Sequence, residues 1–253
     1  MKRLFYGLFL LLSVTLYATH TIVEHHQISA LLDYQHEHDF DRHTVIIFDI
    51  DNTLAAPRDY CIGSDEWVTH EINKLMLRGM DAHTAWHTIK PLYIEIQNNI
   101  ELALIEQEAI ELIDFLQENG FSVIAVTARS LEISDRTLEQ LKAIGIDFSR
   151  SGIWHEEFTS TGDILYRYKN GTVFCHGNDK GTVLHNVLNH LSFVPRKIIA
   201  VDDKEIHLHS IQQILHPDVS FVGIRYARLD TKVAAFNPMR AEIELRKLNI
   251  RIK

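Results

Sequence analysis

Apolar and polar positions along this chain follow two alternating periods. Val45-Ile46-Ile47-Phe48 is a continuous apolar run ending in polar residues, the pattern of a short strand buried on both faces of a parallel sheet. Phe121 to Val126, Lys197 to Val201 and Ser220 to Ile224 repeat it. The stretches between them carry the helical period. Val68, Ile72, Leu75 and Met76 line one face behind an N-cap at Asp65, with Gly79 as the stop. Residues 81–98 continue in helical register, with a kink or break predicted at Pro91. Ile105, Ala109, Leu112, Ile113 and Leu116 share a third helical face closed by Gly120, and residues 131–144 form a helix closed by Gly145. Val183, Leu184, Val187 and Leu191 belong to a helix begun at Asn178 or Asp179, and Asn237-Pro238 opens the last one. Ile164–Tyr168 and Thr172–Cys175 read as a hairpin around Asn170-Gly171. Strands alternating with helices predict an α/β architecture.

The interval between the first two strands is longer than one crossover helix needs. The surplus, residues 58–103, reads as a helical insertion into a core made of residues 44–57 and 104–253. Residues 19–43 are polar and carry His20, His25, His26, His36, His38 and His43. Their irregular spacing predicts a solvated arm or short helix rather than a metal-binding tract. Lys2 and Arg3 precede an uncharged apolar run from Leu4 to Ala18, short for a membrane span and suited to a signal peptide. Residues 1–18 are therefore expected to direct export to the periplasm or beyond, leaving no membrane insertion after cleavage. An uncleaved N-terminal tether is the alternative.

At 253 residues and 46% hydrophobic content, the chain can bury one sizeable core. The net charge of -9, with no Lys/Arg cluster, argues against a nucleic-acid partner. A small anionic substrate still fits, since a local site can be positive inside an acidic protein. The two cysteines, Cys61 and Cys175, are expected as separate thiols, pairing in an oxidising compartment being the alternative. No C-x-x-C pair supports zinc. Oligomeric state is not encoded in any of these patterns.

Four segments present reactive groups just after buried strands or at a helix start: Asp49 with Asp51, Thr127, Lys180, and Asp202 with Asp203. Ligands of parallel sheets bind beyond the carboxyl ends of the strands, so these groups can converge on one rim. Phosphoryl transfer through an aspartyl-phosphate fits the set, and oxygen-only ligands favour Mg²⁺.

In order and spacing these segments resemble the four motifs of the haloacid dehalogenase (HAD) superfamily. Asp49-Ile50-Asp51-Asn52-Thr53 matches D-x-D-x-T; Val123 to Thr127 matches the strand ending in Thr or Ser; Lys180 matches the motif lysine; Ile198 to Asp203 matches the strand ending in paired acids. Gly63 to Trp67 and Asn178 to Gly181 further resemble an exported bacterial group of unknown function within it. The resemblance implies a three-layer α/β/α Rossmann-like core with a mainly helical cap after the first motif. It also implies roles. Asp49 would be nucleophile and metal ligand. Asp51 would give a backbone carbonyl to Mg²⁺ and act as general acid, then base. Thr127 and the Ala128 N–H would hold phosphoryl oxygens, Lys180 would offset charge, and Asp202 would complete the metal site. Asp203, Ser64 and Trp67 are further candidates, while Arg129 fits a substrate contact or a surface role equally. His83 and His87, spaced i, i+4, fit a solvated face better than a metal site. The expected activity is that of an exported, Mg²⁺-dependent phosphatase of a small phosphomonoester. A non-catalytic binding protein and a phosphotransferase or mutase are the alternatives.

Overall fold

A computed structural model describes residues 19–34, 43–151 and 156–248. The expected signal peptide, His36 and His38 lie outside the described residues.

In chain order the elements are β1 (His20–His25), β2 (Thr44–Phe48), β3 (Ala55–Pro57), α1 (Asp65–Met76), α2 (Ala82–Asn99) and β4 (Leu102–Leu104). Next come α3 (Glu108–Glu118), β5 (Ser122–Thr127), α4 (Ser134–Ala143), β6 (Phe158–Thr159), β7 (Arg167–Lys169) and β8 (Thr172–Phe174). The chain finishes with α5 (Lys180–His190), β9 (Lys197–Asp202), α6 (Glu205–Gln213), β10 (Ser220–Tyr226), α7 (Asp230–Ala234) and α8 (Pro238–Lys247).

Among the described residues, eight strands form one sheet in the order β1-β10-β9-β2-β5-β8-β7-β6. It is parallel from β1 to β8, and the β8–β7 and β7–β6 pairs are antiparallel, so β7 alone is reversed. The apolar run of β2 is buried on both faces because successive side chains point to opposite sides. Ile46 and Phe48 join Leu112, Ile113 and Leu116 of α3, whereas Val45 and Ile47 join Val183 and Val187 of α5 and Leu208 of α6. Helices thus cover both faces, giving the three-layer α/β core.

Three details depart from the sequence reading. Residues 20–25 are not a solvated arm: they pair in parallel with residues 221–226 as an edge strand. Hydrogen bonding to β10 settles a segment whose apolar content, Ile22 and Val23, is too small to mark it as a strand. The helix across Pro91 is unbroken from residue 82 to residue 99. Pro91 and His87 face solvent, where water can take the carbonyl left without its N–H partner. The hairpin has shorter strands than expected, and its turn residues Asn170 and Gly171 have φ of 46° and 70°, the left-handed geometry a two-residue turn demands.

Between β3 and β4, which pair antiparallel as a neck, α1 and α2 pack on each other around Ile62, Trp67, Tyr93, Ile96 and Ile100. Ala241 of α8 enters this same cluster. Glu244 of α8 accepts the N–H groups of Cys61 and Ile62 at 2.7 and 3.3 Å. The last helix is therefore docked on the insertion. Among the described residues, no helix is long and apolar enough to cross a membrane.

Candidate active site

The central strands β9, β2 and β5 end side by side, and their carboxyl ends carry the acids and Thr127 to one rim. Asp49 leaves β2 with its N–H donating to the Val201 carbonyl at 2.9 Å. Lys180 is the first residue of α5, whose N-cap Asp179 accepts the Thr182 N–H at 2.8 Å. The following residue must be glycine: a Cβ on Gly181 would lie 2.1 Å from the Ser210 carbonyl oxygen of α6. This close approach of the two helices sets where Lys180 enters the rim.

Lys180 Nζ donates to Asp49 Oδ1 at 2.6 Å and to Asp202 Oδ2 at 2.7 Å. Asp202 also accepts the Lys204 N–H at 2.8 Å and faces His207 Nδ1 at 3.1 Å. Burial would raise the Asp202 carboxyl, but Lys180 and His207 outweigh it and hold it at about 2. Asp49, 5% exposed, is raised to about 6, chiefly by burial against the pull of Lys180, with Asp202 and Asp51 adding to the rise. Asp203 is pushed up to about 9 by burial and then by the charges of Asp49 and Asp202.

Ligand oxygens of Asp49, Asp202 and Asp203 lie within 4.8 Å of one another. One ammonium shared by two of them leaves the trio with surplus negative charge, and Asp203 Oδ1 is buried with no hydrogen-bond partner. An orphaned acceptor in a three-carboxylate cluster fits a hard divalent cation. The trio joins Asp49 and Asp202, expected as side-chain ligands, to Asp203, expected only as a further candidate. Asp51 is expected to offer its backbone carbonyl, not its side chain.

The Asp51 side chain is engaged by Arg129, which donates Nε to Oδ2 and Nη2 to Oδ1, each at 2.8 Å. Arg129 is 3% exposed, so the surface role is overturned. Neither residue reveals the other in sequence, because 78 positions separate them. The available signal was an arginine two residues past Thr127, on the same rim. Thr127 is fully buried with Oγ1 accepting the Arg129 N–H at 3.2 Å, and Ala128 is exposed at the rim.

Ser64 and Trp67 hold the insertion together. Ser64 Oγ accepts the Trp67 N–H at 3.2 Å and donates to the Cys61 carbonyl at 2.9 Å, while Trp67 is 2% exposed among apolar side chains. His83 and His87 are exposed, with their Nε2 atoms 3.1 Å apart. Both cysteines are free thiols. The insertion meets the core through Glu66, which accepts from Asn52 Nδ2 at 2.7 Å, through the Asp65–Lys204 ion pair, and through Lys90 at 2.6 Å from Glu132. A cavity of about 500 Å³ lies beside this seam, lined by Asn52, Tyr60, Glu66, Phe236 and Arg240 among others.

Among solved structures, the chain is similar to a haloacid dehalogenase-like hydrolase from Streptococcus pneumoniae. Identity is 13%, the match covers 76% of this chain and 97% of that one, and the TM-score is 0.40. It is similar also to the class C acid phosphatase of Bacillus anthracis, at 13% identity over 89% and 86% of the two chains with TM-score 0.36. The sheet order itself gives the three-layer α/β core that the motif resemblance implies. In sequence, a Chlamydia trachomatis protein provisionally named an outer membrane protein is 26% identical over 229 residues, 88% of this chain and 84% of that protein. A Chlamydia pneumoniae protein of the same provisional name is 25% identical over 182 residues, 72% and 68% of the two chains. The family described as "Protein of unknown function (DUF2608)" matches residues 21–251, nearly the whole described chain, and the protein belongs to it.

Proposed function

We propose that this protein is an exported, Mg²⁺-dependent phosphatase that hydrolyses a small phosphomonoester through an aspartyl-phosphate on Asp49. The observation that carries the reading is the buried Asp49–Lys180–Asp202 bridge, with Asp203 beside it and Asp51 at the same loop. A carboxylate held in a water-poor site next to an ammonium is a competent nucleophile toward phosphorus.

Asp49 attacks phosphorus while Asp51 gives a proton to the departing oxygen. Asp51 then takes a proton from the water that attacks the same phosphorus from outside, which releases phosphate and restores Asp49. Lys180 offsets negative charge on the transferring group, and Thr127 Oγ1 with the Ala128 N–H holds its oxygens. Asp49, Asp202, Asp203 and the Asp51 carbonyl would hold Mg²⁺, which when bound supplies charge neutralisation for the phosphoryl oxygens. The insertion of residues 58–103 acts as a cap that sheds water from the phosphoenzyme. Such a cap favours a small phosphomonoester over a phosphoprotein as substrate.

The apolar N-terminal run supports export, and the provisional outer-membrane names of the Chlamydia relatives agree with it. A panel of phosphorylated metabolites, assayed with Mg²⁺ and with a chelator, tests the function. Mg²⁺-dependent phosphate release from a subset of the panel is expected; release from none would refute the reading.

A further inference from the structure

Arg129 does more than pair with Asp51. Its Nη1 donates to Thr137 Oγ1 at 3.1 Å and to Gln140 Oε1 at 2.9 Å, both on α4. Gln140 Nε2 in turn donates to the carbonyls of Gln97 and Ile100 at 3.1 and 3.0 Å. Those carbonyls end α2, where a helix has no N–H groups of its own left to offer. Arg136 of α4 reaches the same pair at 3.3 and 2.9 Å. Arg129, Thr137, Gln140 and Gln97 are each at most 3% exposed. The result is a dry, continuous chain of hydrogen bonds from Asp51 to the end of the insertion's long helix.

We infer that Arg129 and Gln140 are positioning residues, a strut tying the orientation of the Asp51 carboxylate to the seating of α2 on the core. The inference rests on the phosphatase reading. A bidentate guanidinium fixes the plane of a carboxylate. Each carboxylate oxygen keeps a further lone pair for a substrate proton. When α2 is displaced, Gln140 loses its acceptors and Arg129 loses the partner that aims it. Proton transfer by Asp51 would then be efficient only with the insertion seated.

The test exploits leaving-group acidity. A poor leaving group needs the proton from Asp51; an acidic nitrophenol does not. Arg129→Lys keeps the charge and removes the fork. We expect its kcat for an alkyl phosphate to fall about 100-fold, and for nitrophenyl phosphate less than about 5-fold, with KM nearly constant. Gln140→Met leaves Arg129 and Asp51 in place. It should give the same selective loss, about 10-fold, together with faster amide exchange over residues 97–104. Equal losses on both substrates in both variants would mean a structural role only and overturn the proposal. Selective loss without faster exchange would overturn the link to α2. If the parent protein hydrolyses neither substrate, the phosphatase reading itself fails, and unchanged exchange in Gln140→Met would separately remove the strut.

Discussion

The Lys180 ammonium stands 2.6 Å from the Asp49 carboxylate, with side-chain exposures of 1% and 7%. Removing one member of so buried a pair strands the other charge. Lys180→Met is expected to destabilise the fold by about 3–5 kcal/mol and to abolish turnover. Denaturant unfolding beside a phosphate-release assay checks both; a loss of activity at full stability would mean that the lysine carries no structural charge balance.

Metal dependence of stability should vary with pH in a defined direction. Burial and neighbouring carboxylates raise Asp203 to about 9, and burial raises Asp49 to about 6 against the pull of Lys180. The folded, metal-free protein therefore holds protons that unfolded carboxylates release near pH ~4. The stability these groups contribute is full below that pH and is lost as pH rises toward about 9. Asp202, held at about 2, acts in the opposite sense and only at lower pH. In chelator the melting temperature should fall between about pH 5 and pH 8, and Mg²⁺ should restore more of it at the higher pH. An equal Mg²⁺ shift at both would contradict the cluster's role.

Gly181→Ala places a methyl group 2.1 Å from the Ser210 carbonyl oxygen. Neither helix can yield without moving Lys180, so a loss of more than ~2 kcal/mol is expected together with reduced turnover. Calorimetry and kinetics on the same preparation would show the two effects together.

Glu244→Ala leaves the N–H groups of Cys61 and Ile62 without their acceptor. A cost of about 2 kcal/mol is expected, with exchange rising in residues 60–68 and in α8. Exchange confined to α8 would mean that the helix rests on the insertion without supporting it.

What could be read from the sequence divides along physical lines. The strand runs at Val45, Val123 and Ile198 are buried on both faces, so their continuous apolar pattern survives without context. The acids and Thr127 follow directly from where those runs stop, and Lys180 from the helix start after Asp179. Asp203 was legible as a candidate, but its role beside Asp49 depends on an orphaned oxygen that no spacing records. The pairing of Asp51 with Arg129 and the seat of α8 on α1 and α2 are long-range choices. An amphipathic stripe shows which face is buried and not what covers it. Residues 20–25 escaped because an edge strand needs little apolar content when its partner supplies the hydrogen bonds.

The proposed phosphatase chemistry stands on Asp49 as its nucleophile. Phosphate release from an aryl phosphate by the purified protein and by Asp49→Asn, each with Mg²⁺ and with chelator, tests it most directly. Mg²⁺-dependent turnover in the parent, absent from the variant, is the predicted result. Equal rates from the two proteins would contradict it.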